Sequence, residues 1–174
     1  MEKQKCIFLD RDGVINVDFV DYVYTIQKFE FIEGVPETLK AFKKAGYLVI
    51  IITNQSGVVK GIYSLDDVMN LHNHVQKHSD NAINDIYIAP YHEKWTNSLT
   101  RKPNTLMWER AIAKYNIDVG QSWMVGDKPR DLIPAKQLGI KAIIVDQPED
   151  ESADYRCTYL KDAGEVLLGY NSFY

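Results

Sequence analysis

Cys6-Ile7-Phe8-Leu9-Asp10-Arg11-Asp12-Gly13-Val14-Ile15-Asn16 decides how this chain is read. Its apolar start is too short for a helix and has the length of a buried strand, Cys6 to Leu9. Two carboxylates follow, one residue apart. Residues i and i+2 of an extended chain share a face, so Asp10 and Asp12 are placed side by side where the strand leaves its sheet. Gly13 lets the chain turn there. Two carboxylates about 4 Å apart repel by ~4 kcal/mol at an effective dielectric near 20, so such a pair calls for a cation or a shared proton. Taken alone, an Asp-x-Asp before glycine is equally a solvated turn.

Working outward, the same pattern recurs. Tyr47 to Ile52 is continuous, apolar and β-branched, as in a strand covered on both faces, and it ends in Thr53-Asn54-Gln55-Ser56-Gly57. Gln121 to Gly126 reads as another strand, ending in Asp127. Asp85 to Pro90 and Ile140 to Val145 complete the strands. Helices are expected between them: one opened by Gly34-Val35-Pro36 and closed by Gly46, one capped by Ser64 with Asp67, and one carrying Trp108, Ile112 and Tyr115 on a single face. A short helix capped by Asp131 would hold Pro134 at its third position, and a last helix covers Leu160 to Leu168. Alternating strands and helices imply a parallel sheet. The expected fold class is therefore α/β: one three-layer α/β/α, Rossmann-like domain over residues 1–174 with no large cap domain. Ligands of such sheets bind outside the carboxyl ends of the strands. Asp10, Asp12, Thr53, Asn54 and Asp127 would meet there, joined by the basic pair Arg101-Lys102 ahead of a helix start.

Composition narrows the function. The 174 residues carry a net charge of -4, so no nucleic-acid footprint is expected. No stretch has the length of a membrane span. Two cysteines, Cys6 and Cys157, suggest no disulfide framework. The expectation is a cytoplasmic enzyme, a monomer or weak oligomer, with a small-molecule substrate.

Four segments together carry a family resemblance. Asp10-Arg11-Asp12-Gly13-Val14-Ile15-Asn16, Thr53-Asn54-Gln55-Ser56-Gly57, Lys102 and Gly126-Asp127-Lys128-Pro129-Arg130-Asp131 resemble the four motifs of haloacid dehalogenase superfamily phosphatases. The fuller strings resemble the subfamily of heptose bisphosphate phosphatases and histidinol-phosphate phosphatases. The resemblance implies that Asp10 attacks phosphorus and becomes an aspartyl phosphate, and that Asp12 serves as acid and then base. It implies Mg²⁺ on Asp10, the Asp12 backbone carbonyl and Asp127. Thr53 and the Asn54 amide would hold phosphate oxygens, and Lys102 would offset their charge. Asp131 is expected behind the metal site. Arg11, Asp18, Tyr22, Asn54, Gln55, Ser56, Arg101 and Lys128 are the expected substrate contacts. A phosphosugar is the implied substrate, a heptose bisphosphate ahead of histidinol phosphate.

One region departs from the subfamily. Its members carry a zinc loop of Cys and His ligands before Arg-Lys-Pro, whereas Ala89 to Thr100 here has no cysteine and one histidine, His92. A structural zinc needs four N or S ligands, so none is expected. Thr105-Leu106 also replaces the subfamily's Pro-Gly. Tyr91 and Trp95 are expected to shape the pocket by packing. His72, His74 and His78 read as a solvated helix face. A receiver-like domain, phosphorylated on aspartate, would also place carboxylates, a Thr and a Lys at strand ends; the acid at Asp12 separates the two readings.

Overall fold

The computed structural model describes residues 2–147 and 153–169. Six parallel strands form one sheet: β1 (Cys6–Leu9), β2 (Leu48–Asn54), β3 (Asp85–Ala89), β4 (Trp123–Gly126), β5 (Lys141–Val145) and β6 (Tyr155–Cys157). Their order is β3-β2-β1-β4-β5-β6. The chain thus builds outward from β1 in one direction, then returns to lay β4 on its other side. That reversal leaves a crevice at the carboxyl ends of β1, β2 and β4.

Five helices cover the sheet: α1 (Val35–Lys44), α2 (Leu65–His78), α3 (Leu106–Tyr115), α4 (Pro129–Gln137) and α5 (Leu160–Leu168). Strand alternation splits the core in two. Ile7 and Leu9 of β1 join Val49 and Ile51 of β2 under Leu39 and Phe42 of α1, Leu71 and Val75 of α2 and Leu160 of α5. Cys6 and Phe8 face the other way, with Ile50 and Ile52, against Met107, Trp108 and Ala111 of α3 and Ala135 of α4. The inner strands β1 and β4 are therefore apolar along their whole length and β2 is so through Ile52, the mark of a sheet buried on both faces.

Local signals account for the boundaries. Ser64 and Asp67 form the expected capping box on α2: Asp67 N–H donates to Ser64 Oγ at 3.1 Å and Ser64 N–H to Asp67 Oδ2 at 2.8 Å. Gly46, at φ +78°, follows Ala45, the C-cap of α1, in the left-handed conformation glycine favours.

Several expectations are corrected. β2 runs on through Thr53 and Asn54, so these two stand in the sheet, not beyond it. β4 begins at Trp123, because Val119–Gln121 form a 3-10 turn. α4 starts at Pro129, a turn earlier than expected, with Asp131 at its third residue and Pro134 at its sixth. Pro134 has no N–H for the carbonyl of Arg130, four residues back. No strand was expected at Tyr155–Cys157. None of the helices is long and apolar enough to cross a membrane, among the described residues.

Candidate active site

β1 delivers Asp10 to the crevice, buried, and its N–H continues the sheet to the Val125 carbonyl at 3.0 Å. Beyond it the backbone curls so tightly that the N–H groups of Val14, Ile15 and Asn16 all turn to the Arg11 carbonyl. Gly13 is required within this curl: at φ +84°, a Cβ there would lie 2.4 Å from Asp127 Oδ2. The first motif's glycine is thus the space that lets the fourth motif's carboxylate approach.

Lys102 comes to the same point from the far side of the sheet. Its ammonium lies 2.9 Å from Asp10 Oδ1 and 2.6 Å from Asp131 Oδ1, and donates to the Ile52 carbonyl at 3.0 Å. Asn54 holds it there. The Asn54 carboxamide clasps the Lys102 backbone, accepting from its N–H at 3.0 Å and donating to its carbonyl at 3.2 Å. The Asn54 carboxamide is thus committed to Lys102, while the residue still lines the cleft. Asp131 is equally committed. Its second oxygen accepts from Lys128 N–H at 3.1 Å and closes the first turn of α4. Gly126 makes room for it, since a Cβ there would sit 2.4 Å from the Asp131 Cβ.

The two carboxylates of the first motif live in different surroundings. Burial pushes the Asp10 carboxyl up to about 6, with Lys102 pulling against it and Asp131 and Asp12 adding to it. Burial acts upward on Asp12 too, but the Arg11 charge, with bonds from Arg11, Asn16 and Gln55, brings its carboxyl below the ordinary value. Arg11 Nη2 reaches Asp12 Oδ1 at 2.7 Å and Oδ2 at 2.9 Å, and anchors on the Val23 carbonyl at 2.8 Å. Asn16 Nδ2 donates to Asp12 Oδ1 at 3.0 Å and Gln55 Nε2 to Oδ2 at 2.9 Å. Arg11 and Gln55, expected to touch substrate, line the cleft but are almost wholly buried, and both bind Asp12.

Asp10, Asp127 and Asp131 each place a carboxylate oxygen within 4.8 Å of the others, a group that could hold a metal ion. Asp127 Oδ1 is buried with no hydrogen-bond partner. Burial and the neighbouring Asp10 raise the Asp127 carboxyl. An all-oxygen donor set with an orphaned oxygen suits a hard cation. Asp131 has both oxygens engaged, which leaves Asp10 and Asp127 as the side chains open to a metal.

Above this floor lies a cleft of about 490 Å³. Asp18, Tyr22, Lys60, Arg101 and Lys128 are on its wall. Lys128 ties the wall to the floor, 2.7 Å from Asp18 Oδ2 and 3.0 Å from Asp127 Oδ2. Lys60 Nζ donates to the Tyr22 hydroxyl at 2.6 Å, and Ser56 Oγ lies 3.5 Å from that hydroxyl. Arg101 is held by Glu93, Nε to Oε2 at 2.8 Å, and donates from Nη1 to the Tyr91 carbonyl at 3.1 Å. Tyr91 and Trp95 do not pack inward as expected: they are 43% and 58% exposed.

The family model for the polynucleotide kinase 3 phosphatases matches residues 6–164. The chain is 37% identical over 151 residues, 82% of each chain, to a D-glycero-beta-D-manno-heptose-1,7-bisphosphate 7-phosphatase of Haemophilus ducreyi. A relative of the same name from Pasteurella multocida is 33% identical over 97% of this chain and 100% of its own. This chain belongs to the haloacid dehalogenase superfamily of phosphatases. Among solved structures, the D,D-heptose 1,7-bisphosphate phosphatase of B. bronchiseptica, complexed with magnesium and phosphate, superposes with a TM-score of 0.87 at 25% identity. It covers 96% of this chain and 99% of its own.

For a haloacid dehalogenase phosphatase, the sequence located the floor well: Asp10, Asp12, Thr53, Lys102 and Asp127 meet where the strands end. It missed Asn16, Lys60, Tyr63 and Glu93. Asn16 lies inside the quoted first motif, and its distance of four residues from Asp12 was the available signal. The others sit on loops, where no spacing announces a contact. The histidines are also corrected. His72 is buried, and His74 stacks on Phe31 with ring centroids 5.6 Å apart, so this helix face packs against the segment after the first motif.

Proposed function

We propose that this phosphatase removes the 7-phosphate of a D-glycero-D-manno-heptose 1,7-bisphosphate, with Mg²⁺ in its site. The observation that carries the chemistry is the contrast within the first motif. Asp10 has one oxygen fixed by Lys102 and by Arg11 N–H at 2.7 Å. Asp12 has both oxygens oriented by three side chains. The substrate class rests on the named relatives and on the cationic wall of the cleft.

In this reading Asp10 attacks phosphorus and forms an aspartyl phosphate, while the ester oxygen leaves with a proton from Asp12. Water then attacks the same phosphorus, Asp12 takes its proton, and Asp10 is regenerated with inorganic phosphate. Arg11 keeps Asp12 a carboxylate at rest, the form needed as base. A phosphate dianion arriving beside it raises its proton affinity, the form needed as acid. Thr53, whose oxygen accepts from Gln55 Nε2 at 2.9 Å, has its own proton to give to a phosphate oxygen. Lys102 meets the charge gathering on Asp10 and the phosphoryl group. Asp10, Asp127 and the Asp12 backbone carbonyl would hold Mg²⁺, which when bound neutralises and orients the phosphoryl oxygens. Asp18, Tyr22, Ser56, Arg101 and Lys128 face the remainder of the substrate. Arg101 suits a second phosphate, because its Nη2 makes no bond to the described residues and a guanidinium forks well onto phosphate. A receiver-like role is disfavoured by the effort spent on Asp12: three side chains hold an acid that a receiver would not use.

A panel of phosphosugars and histidinol phosphate, assayed for phosphate release with Mg²⁺, tests the proposal. Heptose 1,7-bisphosphate is expected to give the highest kcat/KM. A chelator should abolish turnover and Mg²⁺ restore it, and elemental analysis should find no stoichiometric zinc. Histidinol phosphate as the better substrate would overturn the heptose assignment.

A further inference from the structure

Gln55 is a carboxamide with two unlike ends, and its orientation matters to both partners it serves. Nε2 donates to Asp12 Oδ2 and to Thr53 Oγ1, both at 2.9 Å. Turned over, the amide would place its oxygen against the Asp12 carboxylate, and it would draw the Thr53 proton away from any phosphate. Asp12, as a carboxylate that can only accept, favours the observed sense; Thr53, whose hydroxyl can donate or accept, is indifferent to it.

The far end of the amide is held as well. Tyr63 O–H donates to Gln55 Oε1 at 2.7 Å, a bond wholly inside the protein. Burial pushes this phenol up to about 12, so it keeps the proton it gives to Oε1. The ring is fixed as firmly as the hydroxyl. It stacks on Tyr24 with centroids 5.3 Å apart at 13°, and takes Tyr22 edge-on at 5.6 Å. Its face lies flush on the second motif: a Cβ at Gly57 would stand 2.0 Å from the Tyr63 ring. Gly57 is thus the clearance that admits the ring.

We infer that Tyr63 is a positioning residue, which holds the Gln55 amide in place from its far end and through it the acid–base carboxylate of Asp12 and the proton of Thr53. The inference deepens the proposed phosphatase reading and rests on it for the roles of Asp12 and Thr53. Tyr63 touches no reacting atom; it acts two hydrogen bonds away. Its ring contacts also couple the segment from Tyr22 to Tyr24, which walls the cleft, to the acid–base group on the floor.

The test is a double-mutant cycle on the full chain with Mg²⁺, using heptose 1,7-bisphosphate and p-nitrophenyl phosphate in parallel. Tyr63→Phe keeps the ring and every stacking contact and removes one buried donor. It should lower kcat by roughly five- to tenfold, the range of one lost hydrogen bond, with KM changed less than about twofold. In a Gln55→Leu background the same substitution should alter kcat by less than about twofold. The Gln55 side-chain amide resonance, observed by NMR, should shift or broaden in Tyr63→Phe, and this readout stands even if Gln55→Leu fails to fold. Wild-type kcat in Tyr63→Phe, an equal effect with and without Gln55, or an unmoved amide resonance would overturn the inference. Hydrolysis of p-nitrophenyl phosphate without hydrolysis of the heptose ester would remove the substrate assignment and leave the coupling measurable.

Discussion

The floor of the cleft and its rim are built on opposite plans. On the floor, Asp10, Thr53, Lys102 and Asp131 are all buried, and Asp10, Lys102 and Asp131 are tied together from distant parts of the chain. Asp131 is shared between Lys102 and the start of α4, and the Lys102 backbone is clasped by Asn54. On the rim, Arg101 is held by Glu93, eight residues away on the same loop, and Trp95 and Tyr91 stand in solvent. Buried charge is tolerated only where pairing is complete, and breaking one partner leaves the other stranded. A rim open to water carries no such constraint. The floor can therefore serve any phosphate ester, and discrimination has to come from the rim.

Substitutions can break that contrast or sharpen it. The largest effect belongs to Asp10→Asn, which removes the carboxylate proposed to attack; turnover and phosphoenzyme labelling should both fall below detection, and near-normal turnover would end the assignment. Asp12→Asn keeps the shape and most of the hydrogen bonds while deleting the acid–base group. Steady-state kinetics should show a loss of roughly 10²–10⁴ in kcat with phosphate binding retained. On the rim, Arg101→Ala should lower kcat/KM for the bisphosphate by about ten- to a hundredfold, the value of one charge-assisted contact, and affect a monophosphate far less. An equal loss on both substrates would place Arg101 with the floor. Smallest of all, Trp95→Ala removes an exposed side chain, and thermal unfolding should report a change within about 0.5 kcal/mol. A large destabilisation would mean that the loop is part of the core after all.

The same contrast explains what the sequence disclosed. Strands ending in Asp10, Thr53 and Asp127 announced the floor, because a parallel sheet brings strand ends together whatever lies between them. The alternation of strand and helix gave the layers for a similar reason. Direction was harder to read than position. Arg11 and Gln55 follow or precede residues that face the cleft, yet both turn back onto Asp12, a choice made by burial that no linear spacing records. β6 escaped because its three residues lie at the sheet's edge and largely in solvent, and they lack the apolar run that marks inner strands. The earlier start of α4 was hidden by Asp131, whose carboxylate caps the helix from inside its first turn, not from the residue before it.

The clasp of Asn54 on the backbone of Lys102 has a consequence for redesign. It marks a seam. Chain beyond that point toward α3 belongs to the sheet's own architecture, while the ten residues from 91 to 100, with Arg101, are fastened mainly to one another: Glu93 to Arg101, Ser98 to Thr100, and the Arg101 N–H to the Ser98 carbonyl. Such a segment is a cassette. It can be exchanged for another of different length or chemistry, provided the graft rejoins at Lys102, the residue Asn54 grips, whose ammonium will still arrive between Asp10 and Asp131.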